Sequence, residues 1–247
     1  MNVLGTLRET VGKLRTPSRL AESRAKLGAA SELPDGIYVE LVDLLFTPLL
    51  PVLVIGVALG LVGVIANIRT HDPWAALALG GLITSFARAA LIVAFRDRCT
   101  KATISASEAR RWETRYAIGS YTFASLLGAF NFSVTLTGHS LTLMLTTGLI
   151  FAYGAGLICR VYTRPQICMI SLTLSAVPTI IGFALRSASG GDGAIVFGGQ
   201  SLFILLFFAS SFETLLSNYR STIKQLFATY ELSHLARLRT HCFTSRR

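Results

Sequence analysis

Apolar residues gather into six long runs along this chain, separated by short polar segments. Each run is close to the length of about 20 residues that an α-helix needs to cross the hydrocarbon core of a bilayer. Inside a bilayer every backbone N–H and C=O must be hydrogen-bonded within the protein, so such runs indicate spanning helices. The predicted spans are Leu44–Ile68, Pro73–Phe95, Tyr116–Leu136, Leu141–Cys159, Pro165–Leu185 and Ala194–Leu215. The pattern predicts an all-α fold, an integral membrane six-helix bundle.

The apolar pattern changes after the last of these spans. Apolar residues then alternate spacings of three and four at Leu216, Tyr219, Ile223, Leu226 and Tyr230. These are a and d positions of about two heptads, which predicts a short cytoplasmic exit helix that forms a coiled coil with a second copy of the chain. A monomeric amphipathic helix at the membrane surface fits the same pattern.

The two patterns together divide the chain into four parts. We predict a cytoplasmic amphipathic segment over 1–43, the membrane domain over 44–215, a cytoplasmic signalling helix over 216–237 and a disordered tail over 238–247. The segments outside the membrane domain are shorter than an ordinary globular domain of about 50–200 residues. We therefore expect no soluble enzyme domain and no catalytic residue in this chain.

Composition and charge agree with a membrane protein. Hydrophobic residues make up 52% of the chain and charged residues only 15%, with a mean hydropathy of +0.57, which exceeds the usual apolarity of a soluble domain. Of the 23 Lys and Arg residues, 20 lie on one side of the predicted spans. The other side has Arg69 and Arg186, and Arg88 lies within a span. The positive-inside rule therefore predicts that both termini and the loop from Arg96 to Arg115 lie in the cytoplasm.

The net charge of +10 also raises the question of nucleic acid as a partner. The basic residues are spread over juxtamembrane positions, and no nucleic-acid motif or aromatic-lined basic groove accompanies them. We expect the partner of these charges to be the anionic headgroups of the lipid bilayer, and no nucleic acid.

Cysteine spacing gives no sign of a metal or cofactor site. The four cysteines are Cys99, Cys159, Cys168 and Cys242, and none forms a CxxC or another metal-ligand spacing. All four fall at or near the predicted cytoplasmic side, where thiols stay reduced. We therefore predict free thiols, no metal and no cofactor.

Arg88 is the most informative polar residue inside the predicted spans. Insertion scales give a cost of about 2.5–3.5 kcal/mol for such a charge, so it usually has a partner or a role. Its long side chain can snorkel toward the cytoplasmic boundary. Alternatively it pairs with Glu213, near the cytoplasmic end of the last span, and we predict this pair as a switchable contact with the exit helix. Trp112 and Tyr116, at the start of the third span, are predicted interfacial anchors.

Four segments of the chain resemble a known family. Leu41–Pro48, Arg110–Gly119, Thr147–Gly156 and Ser221–Arg237 are similar to parts of the N-terminal six-span membrane region of bacterial GGDEF-type diguanylate cyclases. In that family the spans lead through a helix into the catalytic domain. The resemblance implies a sensory or regulatory input module in the bacterial inner membrane for cyclic-di-GMP signal transduction, in which the packing of the spans biases dimerisation of the exit helix.

The chain departs from the family after Arg237. Where the catalytic domain would begin it reads Leu238–Arg247, without a GGDEF signature or its metal-binding carboxylates. We hypothesise that a frameshift or a truncated gene model removed the catalytic domain, so that this form is no enzyme. The stimulus is not identified by the sequence. A small multi-pass transporter or channel and a membrane scaffold subunit are alternatives, although no span carries the polar stripe of an ion pathway.

Overall fold

The computed structural model describes residues 35–47, 49–70, 74–101, 104–137, 140–160, 164–190 and 193–244. These residues form seven α-helices and contain no strand, which confirms the all-α prediction for this part of the chain. The helices are α1 (Asp35–Leu45), α2 (Leu49–Thr70), α3 (Ala75–Lys101), α4 (Ala106–Thr137), α5 (Ser140–Arg160), α6 (Pro165–Ala188) and α7 (Ala194–Thr244). The chain divides into two units, Met1–Tyr38 and Val39–Arg247, and the helical bundle belongs to the second. Most of the predicted N-terminal segment lies outside the described residues.

In the described part of the chain, five helical segments are long and apolar enough to cross a membrane. They are Tyr38–Ile68, Ala75–Lys101, Thr142–Cys159, Pro165–Ala188 and Ala194–Thr222. These five correspond to five of the six spans predicted from the sequence. The remaining predicted span, Tyr116–Leu136, is helical throughout as part of α4, but it is not apolar enough to belong to this group.

Much of the surface of helix α4 faces protein. Its buried residues include four polar ones, Ser120, Asn131, Ser133 and Thr135. The most extensive helix–helix contact of the bundle joins α4 to α6, and α4 also packs against α3 and α5. Small and polar side chains allow close approach and hydrogen bonding between membrane helices. The low apolarity of α4 therefore reflects a position inside the bundle.

The helices α2 to α7 form a closed ring of neighbouring helices, and the α4–α6 contact is part of this ring. Successive neighbours are α2 and α3, α3 and α4, α4 and α6, and α6 and α7, while α5 contacts both α2 and α7 and closes the circuit. Helix α5 also touches α4 and α6. One end of this bundle, here called the basic end, holds the end of α3, the start of α4, the end of α5 and the start of α6.

The predicted first span begins in a different helix from the one in which it ends. Helix α1 stops at Leu45 and α2 starts at Leu49, so the predicted start at Leu44 lies in α1. The sequence places Pro48 directly after Thr47, and the residue before a proline is disfavoured in the helical conformation. The Nη2 atom of Arg96 donates a hydrogen bond to the carbonyl oxygen of Thr47, which satisfies an acceptor at this helix break.

Helix α7 is one continuous helix of 51 residues. At 1.5 Å per residue it is about 75 Å long, more than twice the thickness of a hydrocarbon core. Residues 216–237 are thus helical and continuous with residues 194–215, whereas their role as a cytoplasmic exit helix stays a prediction. The predicted boundary at 238 does not coincide with the end of the helix, which continues to Thr244, and residues 245–247 lie outside the described part. The disorder predicted for the tail stays a prediction.

Candidate functional site

Arg88 lies at the centre of α3 with only 5% of its surface exposed. Its Nη2 atom donates hydrogen bonds to Ser120 Oγ at 3.0 Å and to the Tyr116 hydroxyl at 3.4 Å, both on α4. The guanidinium carbon also lies 5.2 Å from the centre of the Tyr116 ring and 5.9 Å from that of Phe123. Because an aromatic face attracts a cation, α4 stabilises this buried charge by hydroxyl groups and aromatic rings together.

The sequence of α4 brings these three partners onto one face. Tyr116, Ser120 and Phe123 are separated by four and three residues, the spacing at which side chains of a helix lie above one another. Gly119 leaves room for the arginine, since a Cβ atom there would lie 2.8 Å from Arg88 Cγ. The pattern thus forms a cradle for one guanidinium group.

The predicted pair of Arg88 and Glu213 is not formed in this structure. Glu213 is exposed on α7, and no carboxylate lies within ion-pair distance of Arg88 among the described side chains. The reason is the packing order, because α3 packs against α2 and α4 and has no extensive contact with α7. Ion pairs form at the basic end, among them Arg98–Glu108 at 3.0 Å, Arg164–Glu113 at 2.9 Å and Lys101–Asp97.

A cavity of about 330 Å³ lies beside the arginine. Its polar lining comes from Arg88, Tyr116 and Tyr153. The other lining residues are apolar or small and lie on α2 and α5: Leu50, Pro51, Val52, Val54, Ile55, Ala152, Gly156 and Leu157. We call this space the Arg88 cavity. A Cβ atom added at Gly156 would meet no atom within 4 Å, so the small residues of α5 help to leave it open.

Several buried polar atoms around this cavity lack a hydrogen-bond partner within the described part of the protein. They include Arg88 Nε in the cavity lining and Ser85 Oγ one turn before Arg88 on α3. A buried polar group without a partner costs about 1–3 kcal/mol. The site therefore combines a positive charge with unused hydrogen-bonding capacity, which is the chemistry of anion binding.

An aromatic cluster lies at the basic end of the bundle, and it corrects the prediction for Tyr116. Phe46 stacks on Phe95 with ring centres 4.0 Å apart, and Tyr116 meets Phe46 edge-on at 5.3 Å. Tyr116 is only 1% exposed, so its ring faces protein instead of the membrane interface. Trp112 is partly exposed, 5.6 Å from Phe95, and carries Arg115 over its ring at 5.2 Å. Its role as an interfacial anchor stays a prediction.

Only part of the heptad prediction falls on described side chains. Leu216 and Tyr219 are half-buried on α7, while the side chains of Ile223, Leu226 and Tyr230 lie outside the described set. Pairing of two exit helices therefore stays a prediction.

The described cysteines are free thiols, as predicted, with Cys99 and Cys159 exposed and Cys168 buried. The side chain of Cys242 lies outside the described set. No group of three or more His, Cys, Asp or Glu residues that could hold a metal ion occurs in the part of the chain that was searched, which is the described part.

Comparison with known proteins adds no relative. No family model matches this chain, and neither a curated protein nor a solved structure is significantly similar to it. The functional argument therefore rests on the geometry of Arg88 and α7 and on the sequence segments themselves. Sequence reasoning found Arg88 but missed Ser120, Phe123 and Tyr153. The spacing that places Ser120 and Phe123 on the same face of α4 as Tyr116 was the available signal for these two residues. Tyr153 is brought to the site by tertiary packing alone.

Proposed function

We propose that this chain is a membrane-embedded regulatory module that passes a change in helix packing through α7 to a cytoplasmic partner. The observation that carries the proposal is the continuity of α7, in which the last span and the exit helix form one helix of 51 residues. Within the bundle α7 contacts α6 and α5, so a shift of these helices displaces its far end as well.

The partner in this proposal is a catalytic domain of the diguanylate cyclase type. This part rests on the resemblance of the four sequence segments. The proposal assigns signal transmission to the chain and catalysis to its partner. It includes six membrane spans, with α4 as the third, and an inner-membrane location with the basic end and both termini in the cytoplasm.

Two copies of the chain meet along α7 in this proposal. Only 11% of the apolar part of the last span is buried, so most of this surface is open to lipid or to a second copy. The heptad spacing of the exit helix continues backward through Phe212, Ala209, Leu205 and Leu202, of which Phe212 is half-buried and the other three are exposed. An apolar a/d stripe shared by the span and the exit helix supports dimerisation along the whole of α7.

Cysteine cross-linking tests this arrangement with a matched pair of neighbours. Leu205 lies in the heptad stripe and Leu206 outside it, although both leucines are about half exposed, at 47% and 56%. With the native cysteines replaced by alanine, we expect oxidation in membranes to cross-link Leu205→Cys several-fold faster than Leu206→Cys. Equal rates at the two positions would contradict a dimer along this stripe.

A phase experiment tests signal transmission. Residues 1–237 are fused to a diguanylate cyclase domain of known activity, and alanines are inserted between Lys224 and Gln225 of α7. Two inserted residues rotate the downstream helix by about 200°, whereas seven restore the heptad register. We expect a several-fold change in cyclic-di-GMP production with two residues and recovery with seven. Output that is independent of the insertion would refute transmission through a continuous helix.

A small anion transporter is the second candidate, and the Arg88 cavity favours it. Polar groups and a buried arginine inside a helix bundle are typical of substrate sites in transporters. Such a protein would carry an anion into proteoliposomes, and Arg88→Gln would abolish the flux. A regulatory module gives no flux with either form of the chain.

A further inference from the structure

We infer that the Arg88 cavity is a binding site for an amphipathic anion, a molecule with one carboxylate or phosphate group and an alkyl chain. The inference concerns binding by this chain alone, so it stands whether or not α7 transmits a signal.

The anionic group is assigned by the charge of the site. The guanidinium of Arg88 is 95% buried, and among the described side chains no carboxylate neutralises it. Its Nη2 atom is held by Ser120 and Tyr116 of α4, while Nε has no hydrogen-bond partner among the described residues. Guanidinium groups bind carboxylate and phosphate oxygens through charge-assisted hydrogen bonds, and such bonds would offset the cost of burying the charge.

The single charge of the site limits what the ligand can be. Among the described residues that line the cavity, Arg88 is the one charged residue, and the other polar lining residues are two tyrosines. A nucleotide or another multiply charged anion would bring further charges into an apolar space without partners for them. A ligand with one anionic group satisfies the site.

The alkyl chain is assigned by the remaining lining and by its position. The lining from α2 and α5 is apolar, and two of its members, Leu50 and Val54, are 70% and 58% exposed on the outside of the bundle. Because the outside of a membrane bundle faces lipid, a ligand reaches Arg88 sideways between α2 and α5. A volume of about 330 Å³ is at the lower end for small-molecule pockets. The cavity holds the anionic head of such a ligand, and the rest of the alkyl chain lies between α2 and α5.

A direct binding measurement tests this inference. The full chain is purified in a maltoside detergent, and saturable binding of radiolabelled oleate is measured. We expect one site per chain, with oleyl alcohol and inorganic phosphate failing to compete because each lacks one of the two required parts. Competition by phosphatidic acid shows that a lipid phosphate fits the site, whereas its failure restricts the ligand to free carboxylates.

Two variants of the chain distinguish the contribution of the Arg88 charge to binding from that of the cavity volume. Arg88→Gln removes the charge and should weaken oleate binding at least tenfold. Gly156→Leu keeps the charge but fills the cavity, and it should weaken binding to a similar extent. Gly148→Leu is the matched control, because Gly148 lies on the same helix, also has no atom within 4 Å of an added Cβ, and does not line the cavity. Unchanged binding in Gly156→Leu, or equal competition by oleyl alcohol and oleate, would overturn the inference.

Discussion

At the scale of single residues, the best-defined feature is the way that α4 accommodates Arg88. A charged side chain in a membrane helix is expensive, and here the cost is offset by two hydroxyl groups and two aromatic rings instead of a carboxylate. This arrangement leaves the net positive charge in place. A carboxylate partner would have neutralised it and removed the reason for an anion to bind.

The hydroxyl of Ser120 should contribute measurably to stability. Ser120→Ala removes the 3.0 Å hydrogen bond to the guanidinium, and hydrogen bonds to charged groups are worth about 1.5–3 kcal/mol. We expect a loss of this size in the free energy of unfolding, measured by denaturant titration in mixed micelles. Ser125→Ala, on the exposed side of the same helix, should change it by less than about 0.5 kcal/mol.

The assignment of this effect to Arg88 can be checked by a double-mutant cycle. In an Arg88→Ala background, Ser120→Ala should have little further effect, because its partner is already gone. Additive losses from the two substitutions would show that Ser120 stabilises the protein by another route.

At the scale of elements, the contact between α4 and α6 organises the bundle. Gly128 on α4 lies so close to α6 that an added Cβ would be 2.3 Å from the carbonyl oxygen of Leu174 and 3.2 Å from Ser175 Cα. These are backbone atoms, which cannot turn aside as the end of a flexible side chain can. Small residues at such a crossing allow membrane helices to pack closely.

Gly128→Ala should therefore separate α4 from α6. We expect a loss of about 1–3 kcal/mol in unfolding free energy, the usual cost of overpacking a well-packed contact. The control is Gly148→Ala on α5, where nothing lies within 4 Å of the added methyl group. There, the better helix propensity of alanine should leave stability unchanged or slightly higher. Equal midpoints for the two variants would mean that the α4–α6 contact is less tight than described.

At the scale of the whole molecule, the proposed orientation in the membrane rests on the distribution of charge. Most described Arg and Lys residues lie at the basic end. The ion pairs Arg98–Glu108 and Arg164–Glu113 lie there as well. Anionic lipid headgroups and the positive-inside rule favour the cytoplasm for this end.

Thiol labelling can test this orientation. Cys159 is exposed next to the end of α5 at the basic end, and Ser189 is exposed after α6 at the opposite end. With the other cysteines replaced, a membrane-impermeant maleimide should label Ser189→Cys in intact spheroplasts and Cys159 only in inverted vesicles. The reverse pattern of labelling would place the basic end outside the cell.

Local patterns in the sequence were enough to predict the helices and most of their bounds. Runs of apolar residues give helices whatever surrounds them, because the backbone of a membrane segment must bond within itself. The predicted starts at Pro165 and Ala194 agree with α6 and α7. The break before Leu49 was missed, although Pro48 in the sequence pointed to it.

By itself, the sequence determined that this is a helical protein with segments long and apolar enough to cross a membrane and with an arginine inside one of them. That this arginine is buried was decided by the tertiary structure. Tertiary structure decided which helix contacts that arginine. Its partner is on α4 instead of the predicted Glu213 on α7, because α3 packs on α4 and not on α7. It also decided that Tyr153 and Gly156 of α5 border the same cavity. Helix formation follows from bonds a few residues apart, whereas contacts between helices depend on shape along the whole surface of each pair, which no local pattern contains.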